Sequence, residues 1–208
     1  KSELKALQSQ INPHFLYNTL DSIIWMAEGR KYEEVVLMTA SLARLLRQSI
    51  SNEDEVVPLA REVEDAKGYL TIQKMRYKDK LEFEIDVEPS ILNIPLIKLV
   101  LQPIIENAIY HGLKYKESKG LLQVKGFMKD GNAVLQVIDN GVGMDEETLS
   151  HIYDKHKVNY HSNGVGVYNV QKRLKLYYGE NYGITYESEK GVGTTATITI
   201  PGIQEESI

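Results

Sequence analysis

Apolar positions along the chain recur with helical spacing from the start. They fall at Leu4, Leu7 and Ile11, then shift phase beyond Pro13 to Leu16, Leu20, Ile23 and Ala27. Steps of three and four residues mark one helical face, and a proline inside the run predicts a kink at Pro13. After a polar break from Glu28 to Lys31, a second stripe follows at Val35, Met38, Leu42 and Leu45. Two amphipathic helices and a tight turn predict an antiparallel hairpin, whose apolar faces need cover from another domain or from a second copy. A dimeric four-helix bundle is the economical form. Ser49 to Glu55 is polar enough to act as a hinge after it.

Beyond the hinge, Leu59, Val63, Ala66, Leu70 and Gln73 predict a helix running to about Tyr77. Leu81, Phe83, Ile85 and Val87 then alternate with Glu82, Glu84 and Asp86, the mark of a strand with one wet face. Helical spacing returns between Gln102 and Gly112. Residues 122–128 and 133–139 read as two strands joined by the turn Lys129 to Asn132, and residues 183–188 and 194–200 read as a second such pair. Helices followed by antiparallel pairs, without regular strand-helix alternation, predict an α+β fold. Its division is a helical hairpin over 1–55 and an α/β sandwich over 56–208.

With 42% hydrophobic residues in 208, the chain can bury a core. Its net charge of −5, with no basic stripe, gives no reason to expect a nucleic-acid partner. The absence of cysteine excludes disulfides and thiolate metal sites, and fits a reducing compartment. The longest apolar stretch, Ile91 to Ile109, is broken by Pro95, Lys98, Pro103 and Glu106, so no segment is expected to span a membrane. Because the chain opens as though inside a helix, a fragment of something longer is expected.

The candidate chemistry gathers in three places. On the Gln102 helix, Ile104, Ile105, Ala108 and Ile109 form an apolar face while Glu106, Asn107 and His111 gather on a different side, so a carboxylate, an amide and an imidazole are expected to face one place. At the end of a strand, Asp139 is followed by Asn140, Gly141, Val142 and Gly143, and a carboxylate there can accept a hydrogen bond from an exocyclic amine. Asn163, Gly164 and Gly166 open the apolar-periodic helix Val167 to Tyr178, whose free amides and dipole suit a polyphosphate. Each pattern also has a plain structural reading: a solvated helix face, an Asn-Gly turn, a glycine pair before a helix. Together they read as an ATP site, with Asn107 offering an oxygen to Mg²⁺. The polar stretch 145–162, with His151, His156 and His161 at intervals of five, reads as a lid over the phosphates in preference to a zinc site.

These pieces, in this order, resemble a sensor histidine kinase of the LytS/YesM type, whose catalytic domain belongs to the GHKL ATPase superfamily. The stretch LQSQINPHFLYNTL resembles that family's phosphoacceptor box, with His14 as the phosphorylated residue. LQPIIENAIYHG is similar to the N box, DNGVGMD to the G1 box and NGVGVYNVQKRL to the G2 box. GVGTTATITIP resembles the closing strand, whose Thr194 lies near the adenine-binding Asp139, and Arg173 matches a basic position after the G2 box. The resemblance implies a hairpin that dimerises, a Bergerat-type ATP-binding sandwich, ATP and Mg²⁺ as cofactors, and an aspartate of a response regulator receiver domain as the onward acceptor. It also implies that this portion is cytoplasmic and that the parent is a bacterial inner-membrane protein, anchored through an N-terminal sensor part.

Two departures bear on mechanism. Phe15 stands where many histidine kinases carry an acidic residue beside the phosphoacceptor, which leaves Glu106 as the candidate base or orienter. Water-splitting members of the superfamily place a glutamate four residues before the magnesium-binding Asn, where this chain has Pro103. The alternative function is an ATP-driven conformational clamp without phosphotransfer, which has no need of His14.

Overall fold

The protein's structure, a computed structural model, describes residues 13–50, 56–153 and 164–202. Expectations for the stripe from Leu4 to Ile11, the turn preceding Pro13, the hinge at 51–55, and His156 and His161 of the lid lie outside those residues.

Helices α1 (Pro13–Glu28) and α2 (Tyr32–Ile50) form the expected hairpin, with α2 extending into the polar Ser49 region. The turn between them is a C-terminal helix cap: Lys31 N–H donates to the Met26 carbonyl at 2.9 Å, Arg30 N–H donates to that of Ala27 at 3.0 Å, and Arg30 holds φ 57°. After β1 (Val56–Pro58) comes α3 (Leu59–Tyr77), followed by β2 (Leu81–Val87) and β3 (Pro95–Ile97), which pairs with β1. Helix α4 (Leu101–Asn107) precedes the hairpin β4 (Gly120–Lys129) and β5 (Asn132–Asp139). A short α5 (Glu146–Ser150) and the longer α6 (Gly164–Tyr178) lead to β6 (Gly183–Glu189) and β7 (Gly193–Pro201).

One five-stranded sheet, ordered β2-β4-β5-β7-β6, underlies the larger unit. The β4–β5 and β6–β7 pairings are antiparallel, as the sequence predicts, and an antiparallel β5–β7 pairing joins the two hairpins. The β4–β5 turn has Asp130 at φ 50° and Gly131 at φ 77°, the pair of positive dihedrals a two-residue hairpin requires. β2 pairs with β4 in parallel, which no local pattern announces. A parallel join needs a long crossover, and the chain between the two strands supplies it with α4. One face of the sheet buries Leu122, Val124, Val137, Ala196 and Ile198 beneath the helices. The other is wet, with Gln123 donating to Glu84 and Gln136 to Thr197.

Helix α3 is buried on more than one stripe, at Leu59, Val63, Ala66 and Leu70 but also at Glu62, Tyr69 and Ile72. It packs against α2 on one side and against α4 and β2 on others. The α2 stripe Met38, Leu42 and Leu45 therefore finds its cover within the chain. On α1, Phe15 and Met26 point inward, and the Phe15 ring centroid lies 5.0 Å from that of Tyr69. The opposite side of α1 leaves Tyr17, Leu20, Ile24 and Trp25 exposed.

Glu62 joins α3 to the start of α4. Its carboxylate, only 5% exposed, accepts the backbone N–H groups of Leu99 at 2.8 Å, Val100 at 2.9 Å and Leu101 at 3.1 Å. These are among the first donors of a helix, which have no intrahelical partner. The same carboxylate holds Leu99 at φ 60°, a costly dihedral for a residue with a branched side chain. Glu62→Ala leaves three buried donors unpaired and should cost about 3 kcal/mol, whereas Glu62→Gln, retaining one acceptor, should cost roughly half as much. Urea-unfolding midpoints at unchanged slope measure both.

Candidate functional site

Past Asn107 the α4 helix widens into a π-helical segment, Ala108–Leu113, in which Lys114 N–H reaches back to the Ile109 carbonyl at 2.8 Å. Ile104, Asn107, Ala108, His111 and Gly112 thereby line one wall of a cavity. The sheet forms its floor through Val137, Asp139, Tyr186, Thr194 and Ala196, and Gly143 and Met144 close one side. Glu106 is absent from this lining: it accepts from Gln102 Nε2 at 3.0 Å, and its charge reaches Tyr69 of α3. One residue's step around the helix, about 100°, separates the amide and the carboxylate, so the three polar side chains expected to face one place do not all do so: Asn107 and His111 reach the cavity and Glu106 does not.

Asp139 is the most buried polar group of the cavity, at 5% exposed. Burial pushes its carboxyl up to about 6 from an ordinary 3.8, against the pull of backbone N–H donors from Gly141 and Thr194 and of the Lys116 charge. Thr194 faces it across the β5–β7 ladder, and the Thr194 hydroxyl lies 2.8 Å from that of Ser188. His111 stands at the mouth, where partial desolvation and then Lys114 lower its pKa and keep the imidazole neutral.

The glycines have reasons inside the protein itself. A Cβ on Gly141 would fall 2.4 Å from the Gly112 backbone, and Val142 N–H donates to the Gly112 carbonyl at 3.0 Å. Gly143 holds φ 63°, with the Glu189 carbonyl 1.9 Å from where a Cβ would be. These contacts lock the Asp139 loop against the π-helical turn and the β6–β7 turn. Gly166 sits at the start of α6 against Pro103, whose Cβ lies 3.5 Å from a Cβ position on that glycine. Gly164 is the first residue of α6, and Asn163 lies outside the described residues. Arg173 is not brought to the cavity; its Nη2 donates to the Lys98 carbonyl at 2.8 Å and fastens the loop before α4.

His14 is on the other unit. It is exposed on α1, with Asn18 Nδ2 3.0 Å from its Nδ1. Its neighbour Phe15, 3% exposed, anchors that turn of helix to Tyr69, which accounts physically for an aromatic residue at this position. The sequence reading missed Tyr186, Met144 and Gly112 as parts of the cavity. Strand alternation contains the signal for Tyr186, because Ile184 and Tyr186 share the inward face of β6.

A mixed sheet layered with helices, with a cavity between its strands and an Asn-bearing helix, is the fold found in solved histidine kinase catalytic domains. Residues 93–204 match the family described as "Histidine kinase-, DNA gyrase B-, and HSP90-like ATPase", and residues 2–81 match "Histidine kinase". The chain is 37% identical over 201 residues to the sensor histidine kinase YesM of Bacillus subtilis, covering 97% of this chain and 33% of that protein. It is 33% identical over 186 residues to the sensor protein LytS of Oceanobacillus iheyensis, covering 87% and 31%. Through the larger of these matches the chain belongs to the histidine kinase-, DNA gyrase B- and HSP90-like ATPase family, and it spans about a third of the length of the curated relatives it matches. The fold is that of solved histidine kinase domains. A blue-light activated histidine kinase of Erythrobacter litoralis aligns with a TM-score of 0.53 at 15% identity over 95% of this chain and 92% of that one. The catalytic domain of histidine kinase ThkA aligns at 0.54 and 16% identity over 71% and 94%.

The raised Asp139 value fixes a pH dependence. A carboxyl whose folded pKa lies above its unfolded one favours the folded state fully below about 4 and loses that contribution as pH rises through about 6. At neutral pH the charge therefore costs on the order of 3 kcal/mol. Asp139→Asn should raise the melting temperature at pH 7.5 and narrow the gap to the parent as pH falls to 4.5. Equal stability of the two proteins across this range would remove the desolvated charge.

Proposed function

We propose that this chain is the kinase core of a two-component sensor protein. It binds ATP with Mg²⁺, transfers the γ-phosphoryl group to His14, and hands it on to an aspartate of a response regulator receiver domain. The observation that carries this reading is Asp139, a buried carboxylate at the bottom of a cavity walled by Asn107, in a chain that also presents the exposed imidazole of His14. A conformational clamp has no use for that imidazole. The hairpin over 1–55 and the remainder over 56–208 are proposed as the acceptor and nucleotide units, with α3 packed between them.

In this reading Asp139 accepts from the exocyclic amine of adenine, with Thr194 beside it and Gly141 and Gly143 shaping the loop. Asn163, Gly164 and Gly166 offer the amides at the α6 start to the phosphates, His111 lies at the cavity mouth, and Arg173 steadies the loop before α4. Asn107 fits Mg²⁺ because this cation takes oxygen donors, shares them with phosphates and keeps several waters. When bound, the ion neutralises charge on the polyphosphate. An unprotonated nitrogen of the His14 imidazole attacks the γ-phosphorus as the bond from that phosphorus to the β–γ bridging oxygen breaks and ADP leaves, and the proton on the other nitrogen is released afterwards. Glu106 is proposed to orient the ring or take that proton. Support comes from Tyr69, which feels the Glu106 charge and carries the Phe15 ring next to His14.

Exposed Tyr17, Leu20, Ile24 and Trp25 on α1 supply the surface for a homodimer. The parent is proposed to be an inner-membrane protein of a bacterium with this part in the cytoplasm. Among the described residues, no helix is long and apolar enough to cross a membrane.

With γ-labelled ATP and Mg²⁺, the protein should acquire label that survives alkali and is lost in acid. His14→Gln should abolish labelling with ATP affinity changed less than about twofold. Because Pro103 offers no base where a water-splitting glutamate would stand, phosphohistidine formation should exceed steady ATP hydrolysis in the parent, and Pro103→Glu should narrow the difference. Multiple-turnover hydrolysis by the His14→Gln protein would favour the clamp. Light scattering at tens of micromolar should report a dimer, and the pair Leu20→Glu with Ile24→Glu should give folded monomers, since neither side chain is in the chain's own core.

A further inference from the structure

The phenol of Tyr186 is an orphan in the cavity floor. The residue lines the cavity beside Asp139, and its hydroxyl is buried with no hydrogen-bond partner among the described residues. An unpaired buried hydroxyl costs stability, and native proteins keep few of them. Its position follows from register. Val137, Ala196 and Tyr186 form one row across β5, β7 and β6, and Asp139, Thr194 and Ser188 form the row adjacent. Burial first, then the charges of Tyr153 and Asp139, push the phenol's pKa up, so it keeps its proton and remains a donor. The Tyr153 ring meets it edge-on at 6.0 Å between centroids and fixes it in place, while the Tyr153 hydroxyl is already given to the Ile184 carbonyl.

A carboxylate acceptor and a phenol donor on one cavity floor match a particular molecular edge. Adenine presents its 6-amino donor next to the N1 acceptor, whereas guanine presents the reverse pair, an oxygen acceptor next to an N–H donor. We propose that Tyr186 is a second base-reading residue, whose hydroxyl donates to adenine N1, directly or through one water, while Asp139 accepts from the 6-amino group. The inference rests on the nucleotide-site reading above. It assigns part of the base preference to this phenol. The cavity, about 40 Å³, has room for the bridging water the indirect form needs.

Tyr186→Phe deletes the hydroxyl and keeps the ring. Calorimetric titration with Mg-ADP, and with the 1-deaza analogue of ADP that lacks the N1 acceptor, is compared across the parent, Tyr186→Phe and Asp139→Asn, alongside melting temperatures without nucleotide. Tyr186→Phe should bind ADP about three- to tenfold more weakly, the range of one neutral hydrogen bond. It should bind the 1-deaza analogue as the parent does, and melt higher without nucleotide because the orphan is gone. Unchanged ADP affinity in Tyr186→Phe, with Asp139→Asn weakened, would overturn the proposal and leave the nucleotide site standing. A lower melting temperature for Tyr186→Phe would also overturn it, since the hydroxyl would then have a structural partner. If the parent fails to bind ADP, or Asp139→Asn binds it equally well, the nucleotide-site reading itself has failed.

Discussion

Three backbone N–H groups converging on the Glu62 carboxylate set the direction of helix α4, and the cavity depends on that direction. α4 is seven residues long, too short to hold itself in water, and Leu99, two residues before it, is in a left-handed dihedral. A charged acceptor from α3 satisfies the free donors, complements the helix dipole and compensates the backbone strain in one contact. Because α3 also packs on the hairpin, the element that positions Asn107 is tied to the unit carrying His14. A movement of the hairpin relative to α3 would therefore be felt at the cavity wall without any change in the sheet.

The cavity illustrates how stability is exchanged for recognition. Asp139 is kept charged in a desolvated place, and Tyr186 buries a hydroxyl with no partner among the described residues. Both are unfavourable in the free protein, and both become useful only against a ligand whose edge complements them. The surroundings are built to hold them still. Gly112 and Gly141 bring two backbones into direct contact, and the π-helical turn gives Gly112 the carbonyl that Val142 uses. A site placed on such contacts does not need to reorganise when the ligand arrives.

Helix α1 divides its surface in a way consistent with acceptor and partner roles. The Phe15 side is fixed to Tyr69, a second side leaves Tyr17, Leu20 and Ile24 in the open, and His14 stands exposed between commitments. In the proposed function an acceptor has to be accessible to nucleotide and receiver domain alike, but a helix free to roll would lose the geometry that such a transfer needs. Anchoring the residue next in sequence solves both demands.

By itself the sequence determined the elements and most of the polar cluster. Periods of 3.6 and 2 located the end of α1, the helices α2 and α3 and the strand pairs to within a residue or two, because those periods reflect one buried face against a solvated one. The asparagine, aspartate and glycine patterns led to Asn107, Asp139 and His111, the family resemblance added Thr194, and the fold gathers all four in one cavity. Tertiary structure alone decided which apolar stripe is covered inside the chain. The α2 stripe is taken by α3, and α1 is left with the open surface, a choice that depends on long-range packing and not on local spacing. It also decided the parallel β2–β4 join, the use of Arg173 on a carbonyl, the Glu62 cap and the place of Tyr186. Each of these is a contact between residues far apart along the chain, where the partner's identity is fixed by the fold and no local pattern encodes it.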